Sequence, residues 1–483
     1  MQHSIFAGGA FPSCHTLSNH LKTIGLVVGS LASLACDLPS GTTPPGPPPA
    51  GYGAASAERR GPASLPSDGR VTLLDALAFA EEHSPTMLIA AGEVEVGGAE
   101  VEAAKQAQPF NPTLSVALGQ RRQGGGTGLD AQVGLQQQLE VAGQRKKRQE
   151  RARLFRELTA LGLDAAAWTV HADVHRAFEH ALLAEQRLAL AQERVAVSRD
   201  LLRMARRRVE VGDESGVVVD IAGADLALAE NAELAAAADV KTSRMALALA
   251  VGSQAPAAIQ PIGTLDSPAP TLGGVELARR ATDTNPTLRQ ADAATRVAEA
   301  DLAAARREAW PSPTVGVSFA REGSTSTPDN FSPASTIWMG TLQLPIPAFA
   351  RNQGVVARKR AQARVAEARR RAAFVQFNSL VGAAAARVDA AAGRSRALET
   401  GVVSASERSL AALRRAYEVG ELGFLDVAQA LERLWAAREQ ALDARGTYYD
   451  AFADLERLVG PVTVAGSALE DRPAGNPDEG DKP

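Results

Sequence analysis

Four stretches of this chain alternate apolar and polar residues with a period of two. In Thr113–Arg121, Leu114, Val116 and Leu118 share one face, and Thr113, Ser115, Ala117 and Gly119 share the other. Leu129–Leu139 sets Leu129, Ala131, Val133, Leu135 and Leu139 against Asp130, Gln132, Gly134, Gln136 and Gln138. Thr314–Arg321 places Val315, Val317 and Phe319 on one face. Thr336–Leu344 sets Trp338, Gly340, Leu342 and Leu344 against Ile337, Met339, Thr341 and Gln343. Period two with one apolar and one polar face predicts strands that stand between two different solvents. Each is roughly nine to eleven residues long, enough for a tilted strand to cross a bilayer. They form two hairpins, over 113–140 and 314–345.

Most of the remaining chain reads as helix. Arg70–Ala107 is helical by composition, with a break at Ser84-Pro85. Gly143–Val211 and Asn352–Val419 are about 68 residues each, or ~100 Å at 1.5 Å per residue. Leu154, Leu161 and Trp168 lie seven apart, as do Leu158, Ala165 and Ala172, a coiled-coil-like spacing. Each long run ends in a glycine-punctuated tip, Glu210–Asp220 or Glu418–Asp426. A return helix follows each tip, Asp220–Val251 and Asp426–Val459. Asp220 and Asp426 fit the N-cap position of these return helices.

The two halves repeat one another. Pro85-Thr86 recurs as Pro286-Thr287, and Pro112-Thr113 as Pro313-Thr314. Val211-Gly212 recurs as Val419-Gly420, and Val251-Gly252 as Val459-Gly460. Ordered matches of this kind indicate a tandem duplication. The expected domains are residues 71–252 and 275–460, joined by a Pro/Gly-rich linker over 253–274. Residues 37–70 read as a disordered Pro/Gly/Ser-rich tether and 461–483 as a disordered tail.

Composition narrows the picture. Net charge is -4 over 483 residues, so nothing global points to nucleic acid. Aromatics are 4% of the chain, and abundant alanine suits helices packed closely through small residues. The two cysteines, Cys14 and Cys36, both precede the predicted domains, which excludes a disulfide framework there. No apolar run approaches a membrane-spanning helix. Ile24–Ala35 has the length of a signal-peptide core, and Ala32-Ser-Leu-Ala-Cys36 resembles a lipoprotein cleavage box. Residues 1–36 are therefore expected to be a signal peptide with lipidation at Cys36. A simple cleaved signal and an over-extended start of the reading frame are the alternatives.

Four strands cannot close a barrel, and an open sheet edge cannot sit in lipid. If the strands span a membrane, several chains must share one barrel. Its wet lumen would be lined by Asp130, Gln132, Gln136, Gln138 and Gln343. Outer-membrane lipid would face Leu129, Val133, Leu135, Val315, Val317, Phe319, Leu342 and Leu344. The rival architecture is a periplasmic coiled-coil scaffold without a pore, its alternating segments forming a soluble sheet. That sheet would need a covering layer, and the chain offers no spare short amphipathic helices to supply it.

Other signals are weaker. His171, His175 and Glu179 share a helix face at i, i+4 spacing, but no zinc-protease pattern surrounds them, and they read as surface residues with no metal site. The basic clusters Arg145–Arg148 and Arg358–Arg360, with Arg351, read as a lipid-headgroup contact or a solvated face. Trp310 and Trp338 suit an interfacial aromatic belt or ordinary packing. Gly124-Gly-Gly126 reads as a hairpin loop, since no Gly-Lys-Ser/Thr follows. No catalytic constellation and no cofactor-binding motif stands out.

Taken in order, these parts resemble the TolC-type outer-membrane efflux proteins. The resemblance covers about Thr72–Gly460. It rests on the duplicated order, on Asn111-Pro-Thr113 and Pro311-Ser-Pro-Thr314 before the first strand of each hairpin, and on both glycine tips. Leu344-Pro-Ile-Pro-Ala-Phe-Ala-Arg-Asn-Gln-Gly354 is similar to the family's strand-to-helix joint, and Arg351–Gly354 looks most like the heavy-metal (cobalt-zinc-cadmium type) branch. The resemblance implies a mainly α protomer contributing four β-strands to a transmembrane β-barrel. It further implies a homotrimer, with a twelve-stranded barrel in the outer membrane and a helical tunnel in the periplasm. The implied partners are a periplasmic adaptor (membrane fusion) protein and an inner-membrane pump. The adaptor would meet the tips at Val211, Gly212, Gly216, Asp220, Val419, Gly420, Gly423 and Leu425. Asp426 falls at the family's pore constriction, where Gln429 replaces a second acid. The implied work is passive conduction, with divalent metal cations as first cargo. Type I secretion and multidrug export are the alternatives within the family.

Overall fold

The structure is a computed structural model, and it describes residues 66, 69–123, 126–253, 259–265, 273–327, 330–418 and 421–460. The expected signal segment with Cys36, most of the tether, the tail, and Val419 and Gly420 lie outside the described residues.

The chain opens with strand β1 (Arg70–Val71) and helices α1 (Leu73–His83) and α2 (Pro85–Lys105). Thr72 and Asp75 cap α1 reciprocally: the Asp75 backbone N–H donates to Thr72 Oγ1, and the Thr72 backbone N–H donates to the Asp75 carboxylate. Pro85 removes a backbone donor at the first turn of α2, where none is needed. Strands β2 (Thr113–Gln123) and β3 (Gly126–Gln138) follow, then the long α3 (Gln144–Glu210) and the return α4 (Val217–Val251). The second half repeats this plan with short strand β4 (Gln260–Pro261), α5 (Gly274–Thr282), α6 (Pro286–Glu308) and β5 (Thr314–Glu322). A small hairpin of β6 (Thr325–Thr327) and β7 (Asn330–Ser332) comes next, then β8 (Ser335–Gln343). Helix α7 (Gln353–Arg396), a π-helical segment (Ala397–Val403), α8 (Ser404–Glu418) and α9 (Phe424–Val459) complete the described residues.

Strands β2, β3, β5 and β8 make one antiparallel sheet in that order. The two hairpins are therefore joined edge to edge by β3 and β5, with Val133 opposite Phe319 and Leu135 opposite Val317. The pairing runs further than the sequence pattern suggests. Arg122 pairs with Thr127 and Gln123 with Gly126, so strand reaches into the Gly124–Gly126 stretch read as a loop, of which Gly124 and Gly125 lie outside the described residues. Ladder hydrogen bonds hold the backbone there, whether or not the side chains alternate. The expected interdomain linker is also partly structured, because Gln260–Pro261 pairs in parallel with Arg70–Val71.

The second long helix is interrupted where the first is not. At the π segment, Thr400 Oγ1 donates to Arg396 O at 2.8 Å and Ser404 Oγ to Glu399 O at 3.1 Å. Hydroxyls returning to carbonyls four and five residues back favour the wider turn. The return helices begin earlier than their aspartates: α4 at Val217 and α9 at Phe424. Neither Asp220 nor Asp426 is an N-cap, which corrects the expectation from sequence. Asp220 lies in the first turn of α4. Asp426 sits three residues beyond the cap, and its carboxylate accepts from the Gly423 N–H at 3.2 Å.

Three apolar cores are strung along the helices. One joins Val71, Val170, Val174, Phe178, Leu247 and Ile259, from both ends of the first copy. A second joins Leu277, Phe377, Val381, Tyr449, Phe452 and Leu455 in the second copy. The third unites the two tips, as described below. Gly252 closes α4 at φ +79°, and a Cβ there would stand 2.2 Å from the His83 carbonyl oxygen. Only glycine fits both demands. Gly252→Ala is expected to cost at least about 2 kcal/mol, from left-handed backbone strain plus displacement of the α1 end. The check is thermal melting by circular dichroism, with a fall in Tm expected.

Candidate channel surfaces and helical tips

The register sorts the sheet into two unlike faces. Leu114, Leu135 and Val317 form one cross-strand row, and Val116, Val133, Phe319 and Trp338 form the next. The Phe319 and Trp338 ring centroids are 5.0 Å apart. Leu114, Val116, Leu118, Leu129, Val133, Leu135, Val317, Trp338 and Leu342 are all exposed, Trp338 at 73% and Leu342 at 74%. Each such side chain left in water forgoes about 1.5–3 kcal/mol of burial, so the face is built for a covering apolar phase. Trp310 is exposed as well.

Asp130, Gln132, Gln136 and Gln138 share the opposite face. Gln343 joins them, because Gln138 and Gln343 both lie opposite Thr314. Small residues fill much of the rest: Gly134, Gly316, Ser318 and Ala320. Ile337 and Met339 also lie here, so the face is mixed in its last strand. Near the hairpin ends, Arg121 Nε lies 3.3 Å from Asp130 and Arg121 Nη1 lies 3.4 Å from Glu322. Arg121 also donates to Gly323 O, and the Gly323 N–H donates to Asp130, both at 3.0 Å. Sequence reading singled out Asp130 but missed Arg121 and Glu322, which come from different strands.

Most of the basic residues beneath the sheet that can be followed are engaged within the chain. Arg148 pairs with the buried carboxylate of Glu140 at 2.6 Å, and Lys359 and Arg151 share Asp301 at 2.5 Å each. Burial alone would raise the Asp301 pKa, but hydrogen bonds to Lys359 and Arg151 hold it below the usual carboxylate range.

At the other end of the helices, the two tips share one apolar core. Phe424, Val427, Leu431 and Trp435 of α9 pack with Leu201 and Leu202 of α3, Val218 of α4, and Leu410 and Tyr417 of α8. Arg208 lies over the Tyr417 ring at 4.0 Å and donates to the Tyr417 carbonyl at 3.1 Å. Above this core Val211, Gly212, Gly216, Asp220, Gly423, Leu425, Asp426 and Gln429 are all exposed. Gly212 turns the first tip at φ +84°. Buried Phe424 and Tyr417, which hold the tips together, were not singled out from sequence. Their neighbouring glycines were.

The first copy's long helix and the second copy's return helix form an antiparallel polar seam. Arg457 pairs with Asp173 and Arg176 with Asp454. Further along, His180 meets Asp450 at 3.0 Å, Arg187 meets Asp443 at 2.7 Å, and Arg438 meets Glu193 at 2.9 Å. His175 lies inside this seam, 2.6 Å from Glu456 and 3.3 Å from Glu179. Glu179 and Glu456 are buried. Burial would depress the His175 imidazolium, but hydrogen bonds to Glu179 and Glu456, and their charges, push its pKa up to about 10. Burial lowers the pKa of His171; the Glu456 charge opposes this and His175 adds to it. The expectation of surface histidines is thus corrected. Glu456 lies far along the chain, and only the helix pairing brings it to them.

A strand strip with an exposed apolar face, carried on long paired helical hairpins, defines a class of membrane channel protomers. The solved structure of the outer membrane protein VceC from Vibrio cholerae has this fold, with a TM-score of 0.64 and 17% identity over 80% of this chain and 96% of that one. The chain belongs to the outer membrane efflux protein family, whose model matches residues 77–253 and again 277–461. It is a TolC-type outer-membrane efflux channel protein. Among curated relatives, the cobalt-zinc-cadmium resistance protein CzcC of Cupriavidus metallidurans is 26% identical over 397 residues, or 81% of this chain and 90% of that protein. The nickel-cobalt-cadmium resistance protein NccC of Alcaligenes xylosoxydans xylosoxydans is 28% identical over 292 residues, or 59% of this chain and 61% of that protein. Among the described residues no helix is long and apolar enough to cross a membrane.

Glu456→Ala would strip the half-buried His175 cation of one of its two carboxylate partners. With Glu179 still in place, it is expected to destabilise the protein by about 1.5–3 kcal/mol, the worth of a hydrogen bond to a charged group. Denaturant melts of the detergent-solubilised protein would measure this, with a lower midpoint at unchanged slope.

Proposed function

We propose that three copies of this chain close a twelve-stranded barrel in the outer membrane, continued into the periplasm by the paired helices as one duct. The observation that carries this reading is the four-stranded sheet: apolar and exposed on one face, largely polar or small on the other, with β2 and β8 as its edges, unpaired among the described residues. Unpaired edges in lipid cost several kcal/mol for each unsatisfied group, so β8 of one copy pairs with β2 of the next. Asp130, Gln132, Gln136, Gln138 and Gln343 then line the lumen.

The channel is passive and holds no cofactor. Energy comes from an inner-membrane pump, joined through a periplasmic adaptor that docks on the exposed tip residues Val211, Gly212, Gly216, Asp220, Gly423 and Leu425. The family resemblance assigns Val419 and Gly420, outside the described residues, to the same contact. The cargo is divalent metal cations. The names of the curated relatives CzcC and NccC support this, and so does the similarity of Arg351–Gly354 to the heavy-metal branch. Cys36 anchors the mature chain through a lipid.

Planar-bilayer recording with chemical crosslinking tests the architecture. Crosslinked trimers with discrete conductance steps are expected. Monomers that stay soluble without detergent and never conduct would reinstate the scaffold. Asp426 and Gln429 form the constriction at the tip, so Asp426→Ala is expected to raise single-channel conductance. Unchanged conductance would reduce Asp426 to its hydrogen bond with Gly423.

A further inference from the structure

Two imidazoles and two carboxylates converge where α3 of the first copy meets α9 of the second. His171 and His175 are one helical turn apart, so both rings leave the same side of α3. Glu179 follows one turn on, and Glu456 reaches across from α9. One donor atom each from His171, His175 and Glu456 lie within 4.8 Å of one another. The two rings meet edge to face with centroids 6.1 Å apart. Phe452 closes the other side, 5.8 Å from the His175 ring. A cleft of about 330 Å³ opens beside them, lined by Thr72, Leu73, His175, Phe178, Glu179 and Gly263.

We propose that His171, His175 and Glu456, supported by Glu179, form a binding site for a divalent transition-metal cation that clamps α3 to α9. The donor set selects the ion class. Two imidazole nitrogens with carboxylate oxygen suit zinc and its neighbours, whereas magnesium and calcium prefer all-oxygen shells. Three protein ligands leave a position for water, as in open zinc sites, and Glu179, on the Nε2 side of the His175 ring, orients that ring from outside the ion's shell. Ligands at 2.0–2.1 Å from zinc stand roughly 3.3 Å apart, so closure asks for side-chain shifts of about an ångström. The cleft reaches the cluster at His175 and Glu179. On binding, the ion takes the place of the proton held between His175 and Glu456, and that proton leaves to solvent. The seam then carries a cross-link from the first copy to the second. This inference stands on the side-chain geometry and does not depend on what the channel carries.

His171 separates a metal site from a structural ion pair. The hydrogen bonds of His175 to Glu179 and Glu456 do not involve it, so His171→Gln leaves them in place. Purified full-length protein in detergent is titrated with Zn²⁺ by calorimetry, and with Co²⁺ while its visible ligand-field bands are followed. The wild type is expected to bind one ion per chain, with zinc-edge X-ray absorption showing two imidazoles. His171→Gln is expected to weaken binding at least tenfold. His180→Gln, one turn away and paired with Asp450, is expected to leave it unchanged. No saturable binding, equal affinity in His171→Gln, or a zinc shell without two imidazoles would each overturn the site. Should His171→Gln fail to fold, the wild-type X-ray absorption still decides. Bilayer conductance of the same preparation reads the channel independently.

Discussion

A sheet edge that faces lipid must find another edge. This one requirement governs the rest of the molecule. Each copy of the repeat makes one hairpin, and a lone hairpin has two edges and little stability. The duplication removes two of those edges inside the chain, because β3 and β5 pair through Val133–Phe319 and Leu135–Val317. Two edges remain, on β2 and β8. One apolar row runs unbroken across all four strands, from Val116 through Val133 and Phe319 to Trp338. The strip is therefore consistent in face and register, and what it lacks is closure. Closure by further copies of the same strip adds no new kind of contact, only the antiparallel pairing the chain already makes.

The helices solve a second problem, which is to keep very long rods in register without bulky packing. The polar seam between α3 and α9 advances along one helix as it retreats along the other, from Asp173–Arg457 to Glu193–Arg438. Its pairs are largely solvent-exposed, so each contributes about 0–1 kcal/mol. They do not fix the register alone, since a slip of four residues would still set Arg187 against Glu439 and Arg176 against Asp450, which Arg176 Nε already approaches at 3.5 Å. Cohesion comes from the three apolar cores, where close approach matters. Gly446 allows the Leu183 side chain to pack against α9, and Gly274 lies against Gly382.

What the sequence made legible follows from range. Alternation is a local property, and so the strands at Leu114–Leu118 and Leu129–Leu135 and their two faces could be read without partners. Glycine tips are local too. The π segment depends on Thr400 and Ser404 bonding backward within one helix among several comparable hydroxyls, and nothing in the pattern marks it. The tip core needs Leu201, Tyr417 and Phe424 together, and the polar cluster near the hairpin ends needs Arg121 with Glu322. Glu456 meets His175 only once two rods of known register exist. Helix starts were misjudged for a different reason: a carboxylate three residues inside a helix and one at its cap both follow a glycine, and both favour the same dipole.

Passage and retention place opposite demands on a protein that meets cations. A conducting surface must bind weakly and at many points, or the ion does not leave. In the proposed lumen, neutral carboxamides at Gln132, Gln136, Gln138 and Gln343 would meet that demand, and the one carboxylate among them, Asp130, is held by Arg121. The seam has the opposite character. At its histidine cluster Glu179 and Glu456 are buried and the donors include imidazole nitrogen, and the two helices it joins meet again in the tip core through Leu201 and Phe424. A tight site there cannot serve transport, because an ion released slowly would stall a duct. It can serve the scaffold, because an ion held in the seam fixes one copy of the repeat against the other. With the proposed cargo and the proposed seam site, weak donors on the sheet and strong donors in the seam would let one chain handle one class of ion in two ways.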